Sequence, residues 1–407
     1  MSSTLISVDE HLARVLGAVD AQPPLSVETV ALADARGRVL AEPVVSALDL
    51  PGFDNSAMDG YAVRHVDVAG AGAAPVTLDV IGDVPAGSSD DPPLAAGQAV
   101  RITTGAPMPT DADTIVQVEH TDGGVTTVTV TVAPEIGMHL RRRGDELRAG
   151  DTVLEAGVRL GAWQCAAIAA AGVAAVHVRR EPRVVIIATG AELVEPGSPV
   201  QRGQIADSNS TLLAGLIASA GGAVVGIKRV SDEPDDLFAA LDAASDADVV
   251  IMTGGVSVGA YDPVKTVLGD SVTFGFATVA MQPGKPQGFG ALQSGALAFG
   301  LPGNPVSVAV SFEVFVRPAL LALQGVADVF AATVPAVAAE GWRTPQGRRQ
   351  YRPVNIETRD GTLVATPSSR GASHMIAGLA RAGHLAVIDA DVDEVHEGDV
   401  IQVMMVE

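Results

Sequence analysis

The sequence predicts an α/β multidomain protein in which a doubly wound parallel sheet is joined to regions rich in β-strand. Between residues 183 and 323, buried apolar runs alternate with helix-length segments, as in a sheet covered by helices on both faces. From residues 43 to 135, and again after Gly325, short Val, Thr and Ile runs are separated by Gly, Pro and Asp. The 407 residues suffice for roughly two to four domains, each with its own core.

The first predicted element is an N-terminal helix. Ser7 and Glu10 have the spacing of a capping box, in which each side chain bonds to the other's backbone N–H. Leu12, Val15 and Val19 follow at helical spacing and would form one apolar face.

The region that follows is predicted to be a small, mostly β domain. Ala99–Thr103 and Thr126–Val132 have the composition of strands, and Gly123-Gly124 is typical of a turn between strands.

The doubly wound sheet is predicted from four strands and three helices in alternation. The strands are Val184–Ala188, Val224–Lys228, Asp248–Met252 and Ala296–Phe299. The helices are Ser210–Ala220, Asp235–Ala244 and Val306–Leu323. Such sheets bind ligands at the carboxyl ends of their strands.

The C-terminal part is predicted to be a small β-barrel or sandwich, with a short helical piece around Met375–Arg381. Its predicted strands are Gln350–Glu357, Leu363–Thr366, Leu385–Asp389 and Val400–Val406.

Composition excludes several classes of function. The formal net charge of −22 disfavours nucleic-acid binding and adhesion to anionic membranes. The sequence shows neither a signal peptide nor an apolar run suited to membrane insertion, and its single cysteine, Cys165, suits a reducing cytoplasm.

Only three residues are lysines, and two of them, Lys265 and Lys285, lie in glycine-rich segments. Because nearly all other basic residues of the chain are arginines, the presence of these two lysines suggests that each has a specific role.

Three loops at predicted strand ends carry candidate ligand-binding groups. Thr189–Leu193 brings a carboxylate directly after a buried strand, and Thr253–Gly259 is rich in glycines that let backbone amides approach an anion. Leu301–Ser307 opens the long helix, whose free amides and positive dipole end also favour an anion. Each loop alone could be only a tight turn. Together at one sheet edge they predict a site for a phosphorylated ligand.

Charged side chains refine this hypothesis. Lys285 would attract a phosphate, whereas Glu192, Asp232 and Asp262 would repel one unless a hard cation lies between them. Mg²⁺, bridging carboxylates and phosphate oxygens, resolves the conflict. On local grounds alone, Asp232 is about as well explained as a helix cap near Pro234.

The β-rich region contains two polar loops and a basic cluster. Asp54–Ala62 and Arg101–Pro107 present acids, amides and hydroxyls, although the first could be a self-bonded Asx turn. Arg141–Gly144 is the densest basic cluster, and either a solvated charge run or an anion-binding group would explain it.

These segments, taken in order, resemble the motifs of the MoeA/gephyrin E-domain family. The resemblance covers residues from about 50 to 310 and is carried by five segments: Asp54–Ala62, Arg101–Pro107, Thr253–Gly259, Pro283–Pro286 and Leu301–Ser307. It implies four parts: a linking domain of residues 1–45 with 140–178, a mostly β insertion domain of residues 46–139, a MogA-like α/β domain of residues 179–326, and a C-terminal β-barrel of residues 327–407.

The resemblance also implies roles for individual residues. Asp59 and Thr104 are similar to family residues needed for activity and are expected to reach across a dimer. Glu192, Asp232 and Asp262 would act in catalysis by holding metal and the adenylylated phosphate. The expected molybdate pocket comprises Lys285, Ser307, Arg352 and Ser373. The remaining expected cofactor-binding residues are Gly254, Gly255, Ser257, Gly259, Lys265, Pro302, Gly303 and Asn304.

The activity that the resemblance implies is molybdopterin molybdenumtransferase. Such an enzyme takes adenylylated molybdopterin and molybdate as substrates, requires a cation such as Mg²⁺, releases AMP and works as a homodimer. A molybdopterin adenylyltransferase is the expected pathway partner. One alternative is a gephyrin-like dimeric scaffold that binds a membrane receptor or a cytoskeletal or cell-division protein. Another is the adenylyltransferase itself, which resembles only the α/β domain.

Overall fold

The computed structural model describes residues 5–255, 263–369 and 371–406. Three of the candidate site residues, Ser257, Gly259 and Asp262, lie outside the described residues. The architecture predicted from the sequence is confirmed: an α/β domain, a mostly β domain, a linking region and a C-terminal barrel.

The α/β domain is built on a seven-stranded sheet. Across the sheet the strands are Leu5–Ile6, Phe274–Val279, Pro286–Ala291, Leu297–Leu301, Val249–Thr253, Arg183–Thr189 and Ala223–Val230. The four predicted strands are all present and run parallel to one another. Three are one to three residues longer than expected, and Val249–Thr253 has the predicted length but begins one residue later. The strands Phe274–Val279 and Pro286–Ala291 were not predicted, and the second is antiparallel to both of its neighbours. They extend the sheet on the side of the Lys285 turn.

Helices cover both faces of this sheet. They are Ser208–Ser219, Pro234–Asp242, Pro263–Leu268 and a long helix formed by Pro305–Ser311, the π-helical Phe312–Val316 and Arg317–Leu323. In the described part of the chain, Pro305–Leu323 is the one helix long and apolar enough to cross a membrane. It is buried in the core against the sheet, so its apolar composition is that of a core helix.

The N-terminal segment completes the α/β domain. Leu5–Ile6 pairs in parallel with Phe274–Val279 at the edge of the sheet. Helix Val8–Asp20 begins as predicted, with the Ser7 hydroxyl accepting from the Glu10 amide at 3.0 Å. Val8, Val15 and Val19 pack into the same core as the long helix. This helix, expected in the linking domain, therefore contributes to the α/β core.

The linking region consists of paired strands and one helix, Ala162–Ala170, around a small core. Its strand pairs are Val27–Ala31 with Ala175–Arg179 and Val44–Val45 with Thr152–Leu154. Cys165 is partly buried against this core.

The mostly β domain contains a five-stranded sheet with apolar clusters on both faces. Its strands are Thr114–Gln117, Gly60–Val63, Gln98–Ile102, Val76–Val84 and Thr127–Val130. The short helix His65–Val68 packs beside it, and Asn55–Ser56 pairs with Leu140–Arg141.

The C-terminal domain is a closed barrel, which decides between the two predicted architectures. Its strands, in order around the ring, are Arg349–Arg359, Thr362–Pro367, Thr333–Ala338, Val400–Met405 and His384–Ile388. The first and last of these strands pair with each other. Helix Ile376–Leu379 lies at the predicted position, and Trp342–Arg343 pairs with Glu394–Val395. Met281–Gln282, from the α/β domain, pairs in parallel with Arg349–Arg359. The chain entering the Lys285 turn therefore belongs to both domains.

Candidate functional site

Three neighbouring strands end together at the carboxyl edge of the α/β sheet. Their last residues are Thr189, Thr253 and Leu301. Gly254 follows the middle strand with φ +87°, and its amide donates to the Leu301 carbonyl at 3.2 Å. A Cβ at this position would lie 2.6 Å from the Thr189 carbonyl oxygen. Only glycine lets the three loops pack this closely, so the site depends on that residue.

Asn209, a residue that the sequence analysis did not single out, joins two of these loops. Its Nδ2 donates to Thr253 Oγ1 at 2.9 Å and to the Gly303 carbonyl at 2.7 Å. A carbonyl only accepts, so this contact fixes the orientation of the amide. Locally the segment has the composition of a helix start, and Asp207 is indeed the N-cap. From the sequence alone, Asn209 is therefore interpreted as part of a helix start. Its contacts with the two loops are seen only in the folded structure.

Buried hydrogen bonds hold the turn that carries Lys285 in place. Gln287 Nε2 donates to the Gly284 carbonyl at 2.6 Å and to Ser311 Oγ at 2.7 Å. The Val279 amide donates to the Lys285 carbonyl at 2.8 Å. The turn is thus fixed to the long helix while the Lys285 side chain remains exposed.

A loop of the barrel closes over the start of the long helix. Asn304 Nδ2 donates to Ser373 Oγ at 2.8 Å, and the Val306 amide donates to the Ser373 carbonyl at 3.1 Å. We call these two bonds the Ser373 latch. They hold one loop of the barrel against the N-terminal end of a helix in the α/β domain.

Between these elements lies a cleft of about 730 Å³. It brings together eight of the candidate residues: Glu192, Gly255, Lys285, Pro302, Gly303, Asn304, Ser307 and Ser373. Gln282 and His374, which were not candidates, also line it. Ser307 is 4% exposed and lies in the first turn of the long helix. The cleft combines hydroxyl donors, a lysine and a helix N-terminus, a set suited to an oxyanion.

Arg352 lies beside this cleft rather than in it. Its guanidinium is 4.7 Å from the centre of the Trp342 ring, and Nη2 donates to the Ser369 carbonyl at 3.3 Å. It lines two cavities, one of which shares Gln282 and Gly371 with the Lys285 cleft. Burial lowers the pKa of this guanidinium, an effect that Glu340 opposes. Arg352 therefore lines two cavities next to the Lys285 cleft and does not line the cleft itself.

Two of the three predicted metal ligands contact adjacent residues of the loop after strand Arg183–Thr189. The Glu192 carboxylate folds over Gly190, where a Cβ would lie 2.6 Å from Glu192 Oε2. The amide of Ala191 donates to Asp232 Oδ2 at 3.3 Å. In residues 5–255, 263–369 and 371–406, no three or more metal-ligating side chains gather at one point.

Asp59 and Thr104 form a tight pair elsewhere, in the mostly β domain. Asp59 Oδ1 accepts from the Thr104 amide at 2.7 Å and from its hydroxyl at 2.9 Å. These bonds, the amide first, hold the pKa of the Asp59 carboxyl below its usual value. Both residues are exposed, and neither lines the Lys285 cleft in this chain.

The other basic candidates have structural partners. Lys265 Nζ lies 5.8 Å from the centre of the Phe276 ring, and Lys265 does not line the cleft. Within the Arg141–Gly144 cluster, Arg143 Nε bonds to Asp49, and the Arg143 amide donates to Asp54 Oδ1 at 2.7 Å. These contacts hold the cluster against a separate segment of the chain, the one that carries Asp49 and Asp54.

Fold and cleft together define a multidomain protein with a cleft suited to an anionic ligand between an α/β domain and a β-barrel. The chain matches three family descriptions in succession: MoeA N-terminal region (domain I and II) over residues 6–172, probable molybdopterin binding domain over residues 185–322, and MoeA C-terminal region (domain IV) over residues 335–406. The chain belongs to the MoeA family.

Individual relatives match along nearly the whole chain. Molybdopterin molybdenumtransferase 2 of Mycobacterium tuberculosis is 44% identical, over 98% of each chain. Molybdopterin molybdenumtransferase of Bacillus subtilis is 33% identical, over 99% of this chain and 94% of its own. The crystal structure of the molybdopterin biosynthesis MoeA protein from Pyrococcus horikoshii OT3 superimposes with a TM-score of 0.85 at 27% identity, covering 99% of this chain and 100% of that one.

These matches bear on the alternatives. An adenylyltransferase would resemble the α/β domain alone. The matches to both MoeA terminal regions therefore argue against that alternative. The relatives reported above are named as transferases, which does not favour a gephyrin-like scaffold.

Proposed function

We propose that this protein is a molybdopterin molybdenumtransferase, which transfers molybdenum from molybdate to molybdopterin. The single observation that carries the proposal is the meeting of Lys285, Ser307 and Ser373 in one cleft at the mouth of a molybdopterin-binding type of domain. The names of its full-length relatives support the same activity.

The cleft offers groups for two kinds of anion. Gly255, at positive φ after a buried strand, lines the cleft and would let the backbone approach a phosphate. Ser307 in the first helical turn and Lys285 provide donors for a tetrahedral oxyanion. A lysine at ~4 Å from such an anion contributes on the order of 4 kcal/mol near a protein surface.

The adenylylated form of the pterin, with Mg²⁺ as the metal, is part of the proposal. Carboxylate oxygens are the donors that Mg²⁺ prefers, and it is commonly held by one or two carboxylates together with substrate phosphates. Glu192 and Asp232, which contact adjacent residues of one loop, fit this requirement, with Asp262 as the third proposed ligand. When bound, Mg²⁺ would neutralise phosphate charge as the bond to AMP breaks. The protein's own part is to orient both substrates and to keep the oxyanion beside the pterin.

The proposal includes a cytoplasmic homodimer in which Asp59 and Thr104 of one subunit complete the cleft of the other. A molybdopterin adenylyltransferase would supply the substrate.

The test is an insertion assay with purified protein, adenylylated molybdopterin, Mg²⁺ and molybdate, read out by activation of a molybdenum-free nitrate reductase. Wild-type protein should activate the reductase, and Lys285→Ala should lower the rate at least a hundredfold at an unchanged melting temperature. Lys228→Ala is the matched control, because Lys228 is exposed on the outer strand of the same sheet. An inactive wild-type protein, or a fully active Lys285→Ala variant, would show that the proposed function or its site is wrong.

A further inference from the structure

His374 lines the cleft beside Ser373, on the barrel loop that faces the start of the long helix. Its side chain is exposed, and among the described residues its ring has no hydrogen-bond or ion-pair partner. A polar ring at the mouth of a substrate cleft with no structural partner is available for a ligand.

The Ser373 latch fixes where His374 lies. Both latch bonds are made by the residue immediately before it, at 2.8 and 3.1 Å. On the other side, the Ile376 amide donates to the His374 carbonyl at 3.0 Å. The backbone of His374 is therefore held from both directions, so its ring reaches a restricted part of the cleft.

The formal charges of the residues that line the cleft indicate why a further hydrogen-bond donor is needed there. Of the described residues that line it, Lys285 is the one with a full positive charge at neutral pH, and Glu192 is negative. Their formal sum is zero, within a chain of net charge −22. A dianion such as molybdate therefore depends on neutral donors in addition to the lysine. A histidine supplies an N–H donor in either charge state.

We propose that His374 is a further substrate-binding residue, which donates a ring N–H to the molybdate oxyanion on the barrel side of the cleft. This inference rests on the proposed function and adds to it a residue for the metal-oxyanion substrate. The oxyanion is favoured over the pterin phosphate because His374 adjoins Ser373, a residue of the expected molybdate pocket that lines the same cleft.

The test compares KM for molybdate with KM for adenylylated molybdopterin in the insertion assay. Losing one charge-assisted hydrogen bond should raise KM for molybdate about tenfold or more in His374→Ala, with KM for the pterin within about twofold of wild type. His374→Gln retains an amide donor and should recover part of the loss. His396→Ala, at an exposed barrel histidine outside the cleft, should match wild type.

Three results would overturn the inference. The first is an unchanged KM for molybdate in His374→Ala while Lys285→Ala is impaired; the proposed function would then stand without His374. The second is a rise in KM for the pterin alone, which would assign the ring to the phosphate. The third is a wild-type protein that does not insert molybdenum, in which case the proposed function fails first and the inference with it. Melting temperatures measured alongside separate each result from unfolding.

Discussion

His11 is a polar ring enclosed in the apolar core. It is 3% exposed and meets Phe315 edge-on, with 4.7 Å between ring centres. Its Nδ1 is buried and has no hydrogen-bond partner. Burial, and to a lesser degree the charge of Arg14, lowers the pKa of His11 from 6.5 to about 4.

This shift makes stability depend on pH. Between pH 6.5 and 4 the unfolded chain takes up a proton at this position and the folded chain does not, so stability present above pH 6.5 is lost as pH falls. The loss between pH 7 and pH 5 is about 2 kcal/mol.

His11→Leu should remove that dependence, because leucine does not titrate and leaves no unpaired polar atom in the core. Free energies of unfolding from urea titrations at pH 7 and pH 5 measure it. The difference between the two values should shrink by about 2 kcal/mol in the variant. His396→Leu, at an exposed histidine, should keep the wild-type difference. Equal pH dependence in wild type and His11→Leu would contradict the prediction.

At the scale of the element, the Lys285 turn depends on Gly284. This residue has φ +99°, and a Cβ would lie 2.9 Å from Ser311 Oγ and 3.3 Å from Gln287 Nε2. These two atoms belong to the hydrogen bonds that hold the turn on the long helix, so relieving the contacts with them displaces the turn.

Gly284→Ala should therefore lower the free energy of unfolding by about 1–3 kcal/mol and raise KM for molybdate by displacing Lys285. Gly295→Ala is the matched control, since Gly295 has φ +89° in the same domain but no atom within 4 Å of the added Cβ. It shares the backbone strain and lacks the crowding, so it should leave KM unchanged. If both variants raised KM equally, strain alone would explain the effect and the crowding argument would be wrong.

Elements with local signals were predictable from the sequence, and those that depend on distant partners were not. The capping box at Ser7 and the apolar runs of the parallel strands located their elements to within a few residues. The strand Pro286–Ala291 is glycine-rich and is a strand only because two neighbours pair with it. The π-helical segment Phe312–Val316 has the same apolar pattern as the α-helix around it.

Some residues of the candidate site were predicted from the sequence, and others were found only in the folded structure. The topology rule predicted the loop that carries Ser307, and the family resemblance predicted that Lys285 lies with it; both residues line the cleft. Asn209 and His374 were not found, because one resembles a helix cap and the other a loop residue until the folded chain places them at the cleft.

At the scale of the whole molecule, the exposed Asp59–Thr104 pair and the Lys285 cleft are separate sites in one chain. If two subunits of a dimer each supply one half, variants damaged in different halves should complement each other. Asp59→Ala and Lys285→Ala, each inactive alone, should regain roughly a quarter of wild-type activity when refolded or coexpressed as an equal mixture, because half of the dimers are mixed and each has one intact site.

The matched control mixes Asp59→Ala with Thr104→Ala, which damage the same half. That mixture should stay inactive, since every site then carries one defect. An inactive mixture of Asp59→Ala and Lys285→Ala, shown by mass spectrometry to contain mixed dimers, would exclude a shared site.

The place of Leu5–Ile6 and helix Val8–Asp20 in the α/β core has a consequence for synthesis on the ribosome. The strand that Leu5–Ile6 joins and the helix that Val8–Asp20 packs against lie some 270 to 320 positions further along the chain. Translation must therefore deliver most of the polypeptide before the apolar face of the first helix finds its native neighbours, and until then that face is open to chaperones.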